Sequence, residues 1–378
     1  MVNPQSRGVR RGVLTESYIV CDFFNGFRTC DGLSQENIRK PRRFIACNGA
    51  LLTGTEEPYR EENYGRRLPG VNMTAMAETG KERKGEPTFF EVAGQRLEYR
   101  WIGPQPAEAP TIVFLHEGLG CVGMWRDFPD RVAGETGCGA LVYSRRGYGA
   151  SDPVGGPRPV RFMHDEALQI LPLVIARFKL RDVILFGHSD GASIGIVYAG
   201  AHPRSVRGLV LEAPHVFVEP VCIESISRVA KQFCSAESAA TPVLDPQASL
   251  PTPRMDDTTL QKNDTYEDEM AGMRHRLARH HGANTDSMFQ TWAEVWLNPE
   301  FQHWNIEEYL SPIEAPLLVI QGKEDEYGTL KQVDAVVTQA RGPAESLLLA
   351  DCGHSPHRDQ PDRVMSSTRR FVRRILRA

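Results

Sequence analysis

The sequence predicts an α/β protein whose mostly parallel β-sheet is covered by helices on both faces. From Phe89 onward, short runs of β-branched and apolar residues alternate with segments of helical periodicity, which is typical of such a sheet. Within this region a serine flanked by glycines stands directly between a predicted strand and a predicted helix. The alternation breaks once, between Pro214 and Glu314, which indicates an inserted helical segment.

Residues 1–85 differ in texture from the rest of the chain. Glycine, proline, arginine and acidic residues recur there without sustained helical or strand periodicity, so we expect an irregular or disordered N-terminal extension. Met73 and Met76 stand close to the point where patterned sequence begins. We therefore hypothesise that translation starts at one of them, which mass spectrometry of the natural N-terminus would decide.

The predicted sheet begins with an antiparallel hairpin, formed by residues 89–92 and 97–102 and joined through Gly94. Six further runs have the apolar, β-rich composition of buried strands: 111–115, 140–144, 183–186, 206–211, 316–321 and 346–349. Five segments between and after these runs have helical periodicity: 124–133, 164–178, 192–199, 330–340 and 363–376.

The stretch 215–314 carries no strand signal. A compact domain rarely contains about a hundred residues without structure of their own, so we expect a helical cap here. Its predicted helices are 225–233, 268–280 and 286–296, and its Ser-, Ala-, Thr- and Pro-rich part near 235–264 predicts a mobile loop. The α/β core is then made of residues 86–214 and 315–378.

Composition argues against several classes of partner. A formal net charge of -4 provides no basic field for nucleic acid, so no nucleic-acid partner is expected. No apolar run approaches the roughly 18 to 20 residues that cross a bilayer, and the first residues lack the apolar core of a secretory signal. We expect a cytoplasmic protein that does not associate with membranes; its sequence carries no signal for an oligomeric state.

The eight cysteines are scattered through the chain without paired CxxC spacing. Such spacing is what a zinc site or a redox motif needs. The sequence therefore predicts reduced thiols and no metal site.

The strongest local motif is Gly187-His188-Ser189-Asp190-Gly191, which matches G-x-S-x-G. It stands immediately after a buried-strand run and before a helical segment. A serine at such a turn is held in a strained backbone conformation that needs glycines for close approach, and its hydroxyl is exposed at the end of the sheet. The helix that starts there also favours developing negative charge. We predict that Ser189 is a nucleophile.

A serine hydroxyl is a poor nucleophile unless a positioned base takes its proton. His354 lies directly after the last predicted strand, and Gly353 beside it permits a sharp turn back over the sheet edge. We therefore predict His354 as the base, with His357 as the near competitor.

The base needs a carboxylate that fixes its tautomer and stabilises the imidazolium. Asp325 follows the strand at 316–321 and fits this role best. Glu212, after the strand at 206–211, is the alternative acid, because a carboxylate at a neighbouring strand end could also reach the histidine.

The tetrahedral intermediate of acyl transfer needs two backbone N–H donors for its oxyanion. The first is predicted to be the amide of Asp190. The second should come from the glycine-rich turn after the first central strand, where we favour the amide of Gly118; Leu119 and Glu117 remain open as donors.

These motifs, in this order, resemble the α/β-hydrolase superfamily. The similar segments are His116-Glu117-Gly118-Leu119-Gly120, the run 144–151, the elbow around Ser189, Asp325 after its strand, and Gly353-His354-Ser355. The resemblance implies an eight-stranded mostly parallel sheet, a lid after the sixth strand and catalysis without a cofactor. Glu117 stands where many members have glycine, which bears on the choice of oxyanion donor.

Three tryptophans are predicted to line the substrate pocket: Trp125, Trp292 and Trp296. The carboxylate of Asp190 would favour substrates that carry an ammonium group, and an outward or helix-capping acid is an equally good interpretation. Several other polar residues are predicted to have structural or surface positions: His116, Arg145, Arg146, His275, His280 and His281.

The sequence thus predicts a serine hydrolase that cleaves a carboxylic ester or related acyl compound through an acyl-serine intermediate. Its partner is a small-molecule acyl substrate. Thioesters, lactones and amides fit the same residues. The alternatives are a carbon–carbon bond hydrolase, a lyase or a cofactor-free oxygenase of the same fold, or a non-catalytic ligand receptor.

Overall fold

The structure is a computed structural model that describes residues 87–239 and 266–377. The predictions for residues 1–85, including a start at Met73 or Met76, lie outside the described residues. The same holds for residues 240–264 of the predicted mobile loop. Residues 235–239, predicted as the start of that loop, are instead helical, because the preceding helix continues to Ala239.

The described residues form one eight-stranded sheet in the order β1-β2-β4-β3-β5-β6-β7-β8. The strands are β1 Thr88–Val92, β2 Gln95–Ile102, β3 Thr111–Leu115, β4 Gly139–Tyr143, β5 Val183–His188, β6 Gly208–Glu212, β7 Leu317–Gly322 and β8 Ala344–Leu349. The two pairings of β2 are antiparallel, and all the others are parallel. Every predicted strand is present close to its predicted bounds.

Ten α-helices lie in the described residues: α1 Phe128–Thr136, α2 Phe162–Asp165, α3 Leu171–Arg177, α4 Asp190–Ala201, α5 Pro220–Ala239, α6 Tyr266–His281, α7 Thr285–Trp296, α8 Leu330–Gln339, α9 Pro356–Asp359 and α10 Pro361–Ile375. A π-helical turn, Glu166–Ile170, joins α2 to α3. The predicted helices of the core and of the segment between β6 and β7 are therefore largely present.

The helix predicted at 124–133 is interrupted. A 3₁₀ turn, Val122–Trp125, ends at Arg126, whose backbone has φ 53°, and α1 begins two residues later. Pro129 explains the new start, because proline lacks an N–H group and is suited to the first turn of a helix rather than its middle.

The central strands β3 to β7 are buried at every residue. Helices α1 and α10 cover one face of the sheet, and the segment from α2 to α3, with α4 and α8, covers the other. Because both faces are covered, these strands are nearly continuous apolar runs. Helix α4 is buried at every residue except Ala201, so the segment after Ser189 is held firmly in the core.

Helices α5, α6 and α7 lie between β6 and β7 and contribute to the same core cluster as the sheet. Aromatic rings hold them: Phe233 stacks on Phe289 at 3.7 Å between ring centroids, and Trp296 meets Phe301 at 4.8 Å. Among the described helices, none combines the length and apolar character needed to cross a membrane.

Candidate active site

Ser189 lies at a strained turn at the C-terminal end of β5, directly before α4. Its backbone has φ 53° and ψ -118°, a conformation that non-glycine residues rarely adopt. A Cβ atom at Gly191 would collide with the carbonyl oxygen of Leu115, and one at Gly187 would collide with the carbonyl oxygen of Gly191. Only glycine fits at either position, which is the close approach that the sequence motif predicts.

The structure brings the side chains of Ser189, His354 and Asp325 into one hydrogen-bonded chain. The Ser189 hydroxyl lies 2.9 Å from Nε2 of His354, and Nδ1 of His354 lies 2.9 Å from each carboxylate oxygen of Asp325. Gln321 Nε2 and the backbone N–H of Tyr327 also donate to Asp325, at 2.6 and 2.8 Å. These donors orient the carboxylate, which in turn fixes the proton of the imidazole on Nδ1.

The charges around this hydrogen-bonded chain make Nε2 of His354 a more basic proton acceptor than the nitrogen of a free imidazole. Burial lowers the pKa of His354, but the charge and the hydrogen bond of Asp325 outweigh it, so that the pKa lies above its usual value of 6.5. Burial raises the pKa of Asp325, but its pairing with His354 outweighs this and holds the pKa below 3.8. An imidazole held in this way can accept a hydroxyl proton and be stabilised as imidazolium.

The two competing residues of the sequence prediction form a separate pair. Glu212 accepts from both the backbone N–H and the ring Nδ1 of His357, the latter at 2.8 Å. Both side chains are buried, and neither is hydrogen-bonded to Ser189 Oγ. The pair ties the end of β6 to α9, while the backbone carbonyl of Glu212 accepts from the N–H of Ser189 at 2.9 Å.

His188, Glu212 and His357 place metal-type ligand atoms within 4.8 Å of one another. Both oxygens of Glu212 already accept hydrogen bonds from His357, and His188 Nε2 donates to the carbonyl oxygen of His354 at 2.7 Å. Burial, followed by the charges of His357 and His354, lowers the pKa of His188 well below 6.5, so this ring is neutral. The hydrogen bonds of Glu212 with His357, and of His188 with the carbonyl of His354, are those of a structural cluster at the strand ends next to Ser189.

The turn at His116–Gly120 places free amides beside Ser189. Among the described residues, no acceptor takes the backbone N–H of Gly118, Glu117 or Asp190, whereas the N–H of Leu119 donates to the carboxylate of Glu117. Leu119 is therefore the least suited of the candidate donors. A Cβ atom at Gly118 would collide with the Trp292 indole, so only glycine fits under that ring.

Arg145 holds this turn in place from inside the protein. Its guanidinium donates to the carbonyl oxygens of His116 and Glu117, at 2.5 and 3.0 Å, and its backbone N–H donates to Nε2 of His116 at 3.1 Å. The structural roles expected of His116 and Arg145 are thus present, and Arg146 likewise binds the carbonyl of Pro153. Because these carbonyls are bound by Arg145, the free N–H groups of Glu117 and Gly118 remain available to a molecule in the cavity.

Ser189 and His354 open onto a cavity of about 430 Å³, which is the size of a small-molecule site. Trp292 and Trp296, as predicted, are among its lining residues. The prediction for Trp125 is wrong, because its ring is packed into the core against Phe114 and Phe128 instead. The 3₁₀ turn at Val122–Trp125 rotates this side chain toward the sheet.

Comparisons with known proteins agree with this fold. The sequence model described as the alpha/beta hydrolase family matches residues 112–366, well over half of the chain. The chain belongs to the alpha/beta hydrolase family. A proline iminopeptidase of Lactobacillus helveticus is 25% identical over 130 residues, which are 34% of this hydrolase and only 40% of that relative.

Solved structures similar to this α/β hydrolase share its fold at low sequence identity. A hydrolase from Pseudomonas aeruginosa is 20% identical, with a TM-score of 0.55 over 77% of this chain and 99% of that one. The enol-lactonase from Burkholderia xenovorans is 19% identical, with a TM-score of 0.54 over 75% and 99%. An esterase from Exiguobacterium antarcticum is 18% identical, with a TM-score of 0.54 over 76% and 100%.

Asp190 is neither an outward acid nor a helix cap in this α/β hydrolase. Its side chain is 1% exposed and lines the cavity, and no described residue donates a hydrogen bond to either of its oxygens, although Arg145 Nη2 lies 3.9 Å away. Burial raises the pKa of Asp190 to about 6, against the opposing charge of Arg145. A buried carboxylate without a hydrogen-bond donor is a group that a ligand can satisfy.

Sequence reasoning missed two buried histidines near the site. His215 follows β6 and lines the cavity, with its ring centroid 5.6 Å from that of His354 and the two planes tilted by 34°. Burial together with the charge of His354 lowers the pKa of His215 to about 4. His281, expected at the surface, is buried; it accepts from the N–H of Gly149 and donates to the carbonyl of Leu119, which holds the turn at His116–Gly120 in place. The helical periodicity around His281 predicts a helix there, but it does not specify which face of that helix packs on the core.

Replacing Glu212 by alanine should destabilise this α/β hydrolase, because the substitution removes the hydrogen-bond partner of the buried His357. Removing one member of a buried hydrogen-bonded pair costs about 3 to 5 kcal/mol, so we expect a loss of that size in the free energy of unfolding, measured by urea denaturation. Glu345→Ala, which breaks the exposed pair with Arg374, should cost about 1 kcal/mol or less. Equal losses for the two variants would contradict the structural role of Glu212.

Proposed function

We propose that this protein is a serine hydrolase that cleaves a carboxylic ester or a related acyl compound through an acyl-serine intermediate. The observation that carries the proposal is the continuous hydrogen-bonded chain from the Ser189 hydroxyl through His354 to the buried Asp325 carboxylate. A non-catalytic receptor has no physical need for such a chain. The printed names of similar proteins, which include an esterase, a lactonase and a peptidase, are consistent with acyl transfer to water.

In the first half of the reaction, Ser189 Oγ attacks the acyl carbon as its proton passes to Nε2 of His354. The carbonyl oxygen becomes an oxyanion, which the amides of Gly118 and Asp190 stabilise together with the N-terminus of α4. His354 then gives its proton to the leaving group as the bond to that group breaks. In the second half, His354 takes a proton from water, the hydroxide attacks the acyl carbon, and the acid departs as Ser189 regains its proton.

Replacing Ser189 by alanine should abolish labelling by a fluorophosphonate probe and lower kcat by about 10⁴-fold or more, because the nucleophile is lost. Ester turnover and labelling of the intact protein provide the measurement. Ser355→Ala is the matched control, since Ser355 lines the same cavity but belongs to no hydrogen-bonded chain with His354, and it should keep both activities within a fewfold. Turnover that survives in Ser189→Ala would instead favour a lyase or an oxygenase.

The rate should depend on the protonation of His354. Only the neutral imidazole can accept the proton, so kcat/KM should rise with pH and reach half its maximum above pH 6.5, where the raised pKa places this transition. Asp325→Asn removes the main cause of the raised pKa, so the residual activity, lower by about 10⁴-fold, should show its midpoint at a lower pH. Glu324→Gln, on the same loop, is the control and should leave the midpoint near its wild-type position. An unshifted midpoint in Asp325→Asn would contradict the assignment.

A second candidate is the cleavage of acyl groups that carry an ammonium group, as in aminoacyl esters or amides. The buried, unpartnered carboxylate of Asp190 beside Ser189 favours it, as does the similarity to a proline iminopeptidase. A hydrogen bond from an ammonium to a buried carboxylate contributes about 1.5 to 3 kcal/mol, enough for roughly a tenfold or greater preference.

For this candidate, kcat/KM for the methyl ester of alanine should exceed that for methyl propionate, and the preference should grow as pH rises through about 6, where Asp190 ionises. Asp190→Asn should reduce the preference by about tenfold, because a neutral amide binds an ammonium more weakly. Equal preferences in wild type and Asp190→Asn would exclude this candidate while leaving the serine-hydrolase proposal intact.

A further inference from the structure

Four exposed arginines from separate parts of the chain line the cavity. Arg126 lies in the turn before α1, Arg276 and Arg279 lie on α6, and Arg358 lies on α9. The first and last of them are more than two hundred residues apart in sequence, and only the fold brings them to one cavity.

These arginines have no carboxylate partners among the described residues. Arg126, Arg276 and Arg279 donate no side-chain hydrogen bond there, and Arg358 binds only the carbonyl oxygen of Met124, at 3.1 Å. By contrast, Arg274 on the same helix α6 forms a two-point pair with Asp286, at 2.6 and 2.8 Å. Like charges that share one cavity repel one another, so an anionic group bound among these arginines would be favoured.

Three of the four arginines act electrostatically on one neighbouring ring, that of His280. His280 also lines the cavity, and its pKa is lowered first by burial and then by the charges of Arg279, Arg358 and Arg126. Two acidic residues that also line the cavity, Glu326 and Glu117, help to raise the pKa of His354. The cavity therefore has acidic groups that act on His354 and exposed arginines that act on His280.

We propose that this arginine cluster, formed by Arg126, Arg276, Arg279 and Arg358, binds an anionic group carried by the substrate of the Ser189 hydrolase. Guanidinium groups form two-point hydrogen bonds with carboxylates and phosphates, so either anion fits the cluster. The preferred substrate is then an ester or acyl compound with a carboxylate or phosphate remote from the scissile bond. This inference rests on the proposed function.

The test is the rate at which Ser189 is labelled by alkyl p-nitrophenyl phosphonates of matched length. The probes end in a methyl, a carboxylate or a phosphate group and are compared at several chain lengths, so the carboxylate and phosphate probes distinguish the two anions. The released p-nitrophenolate gives the second-order rate constant. The variants are the full chain with Arg276→Gln and Arg279→Gln together, and the control is Arg341→Gln, an exposed arginine paired with Glu314 away from the cavity.

Wild type should react about tenfold or more faster with at least one anionic probe than with its methyl counterpart, and added salt should reduce this preference. The double variant should lose most of the preference with little change for the methyl probe, while Arg341→Gln should match wild type. Reaction with the methyl probe but no anionic preference, or a preference that the double variant retains, would overturn the inference. Failure of every probe to label Ser189 would instead overturn the proposed function.

Discussion

The close approach of α4 to the end of β3 is the constraint on which the rest of the site depends. At Gly191 the helix backbone passes so near the carbonyl oxygen of Leu115 that no side chain fits between them. This contact forces the sharp turn after β5 and holds Ser189 at φ 53°. The buried surroundings of α4 maintain that strain, so the hydroxyl faces the cavity at the sheet edge, where His354 on the loop after β8 is hydrogen-bonded to it.

Buried charge is arranged differently at three neighbouring carboxylates. Asp325 and Glu212 each accept from a histidine and from a backbone N–H, so the cost of their burial is offset by hydrogen bonds. Within the part of the chain that the structure describes, Asp190 accepts no hydrogen bond and has only a guanidinium 3.9 Å away, so it is the one of the three that a bound molecule can complete. Four exposed arginines line the same cavity, which therefore contains groups of both charges.

Much of this arrangement could be predicted from sequence because the signals are local. Fully buried strands appear as apolar runs, and the residues that follow them, Ser189, Asp325 and His354, meet at one edge because parallel strands share their carboxyl ends. The features that were missed depend on side-chain direction. Trp125 follows the glycine-rich turn at His116–Gly120, as a pocket residue would. Yet it ends a 3₁₀ turn and its ring packs against Phe114 in the core.

Residues on helices between β6 and β7 were the hardest to place. His281 and Arg279 stand two positions apart on one arginine-rich helix. His281 is buried against the turn at His116–Gly120, whereas Arg279 lines the cavity. Tertiary packing determines which face of this helix is covered, and the sequence of the helix alone does not encode its rotation. The arginine cluster is harder still, because three separate elements form it.

The proposed function depends on one covalent event, the transfer of an acyl group to Ser189. Rapid acid quenching during turnover of an activated ester, followed by mass spectrometry of the digested protein, measures it directly. The peptide containing Ser189 should gain the mass of the acyl group early in the reaction and lose it as substrate is exhausted. Turnover with rate-limiting deacylation and no acyl group on that peptide would contradict the proposed function.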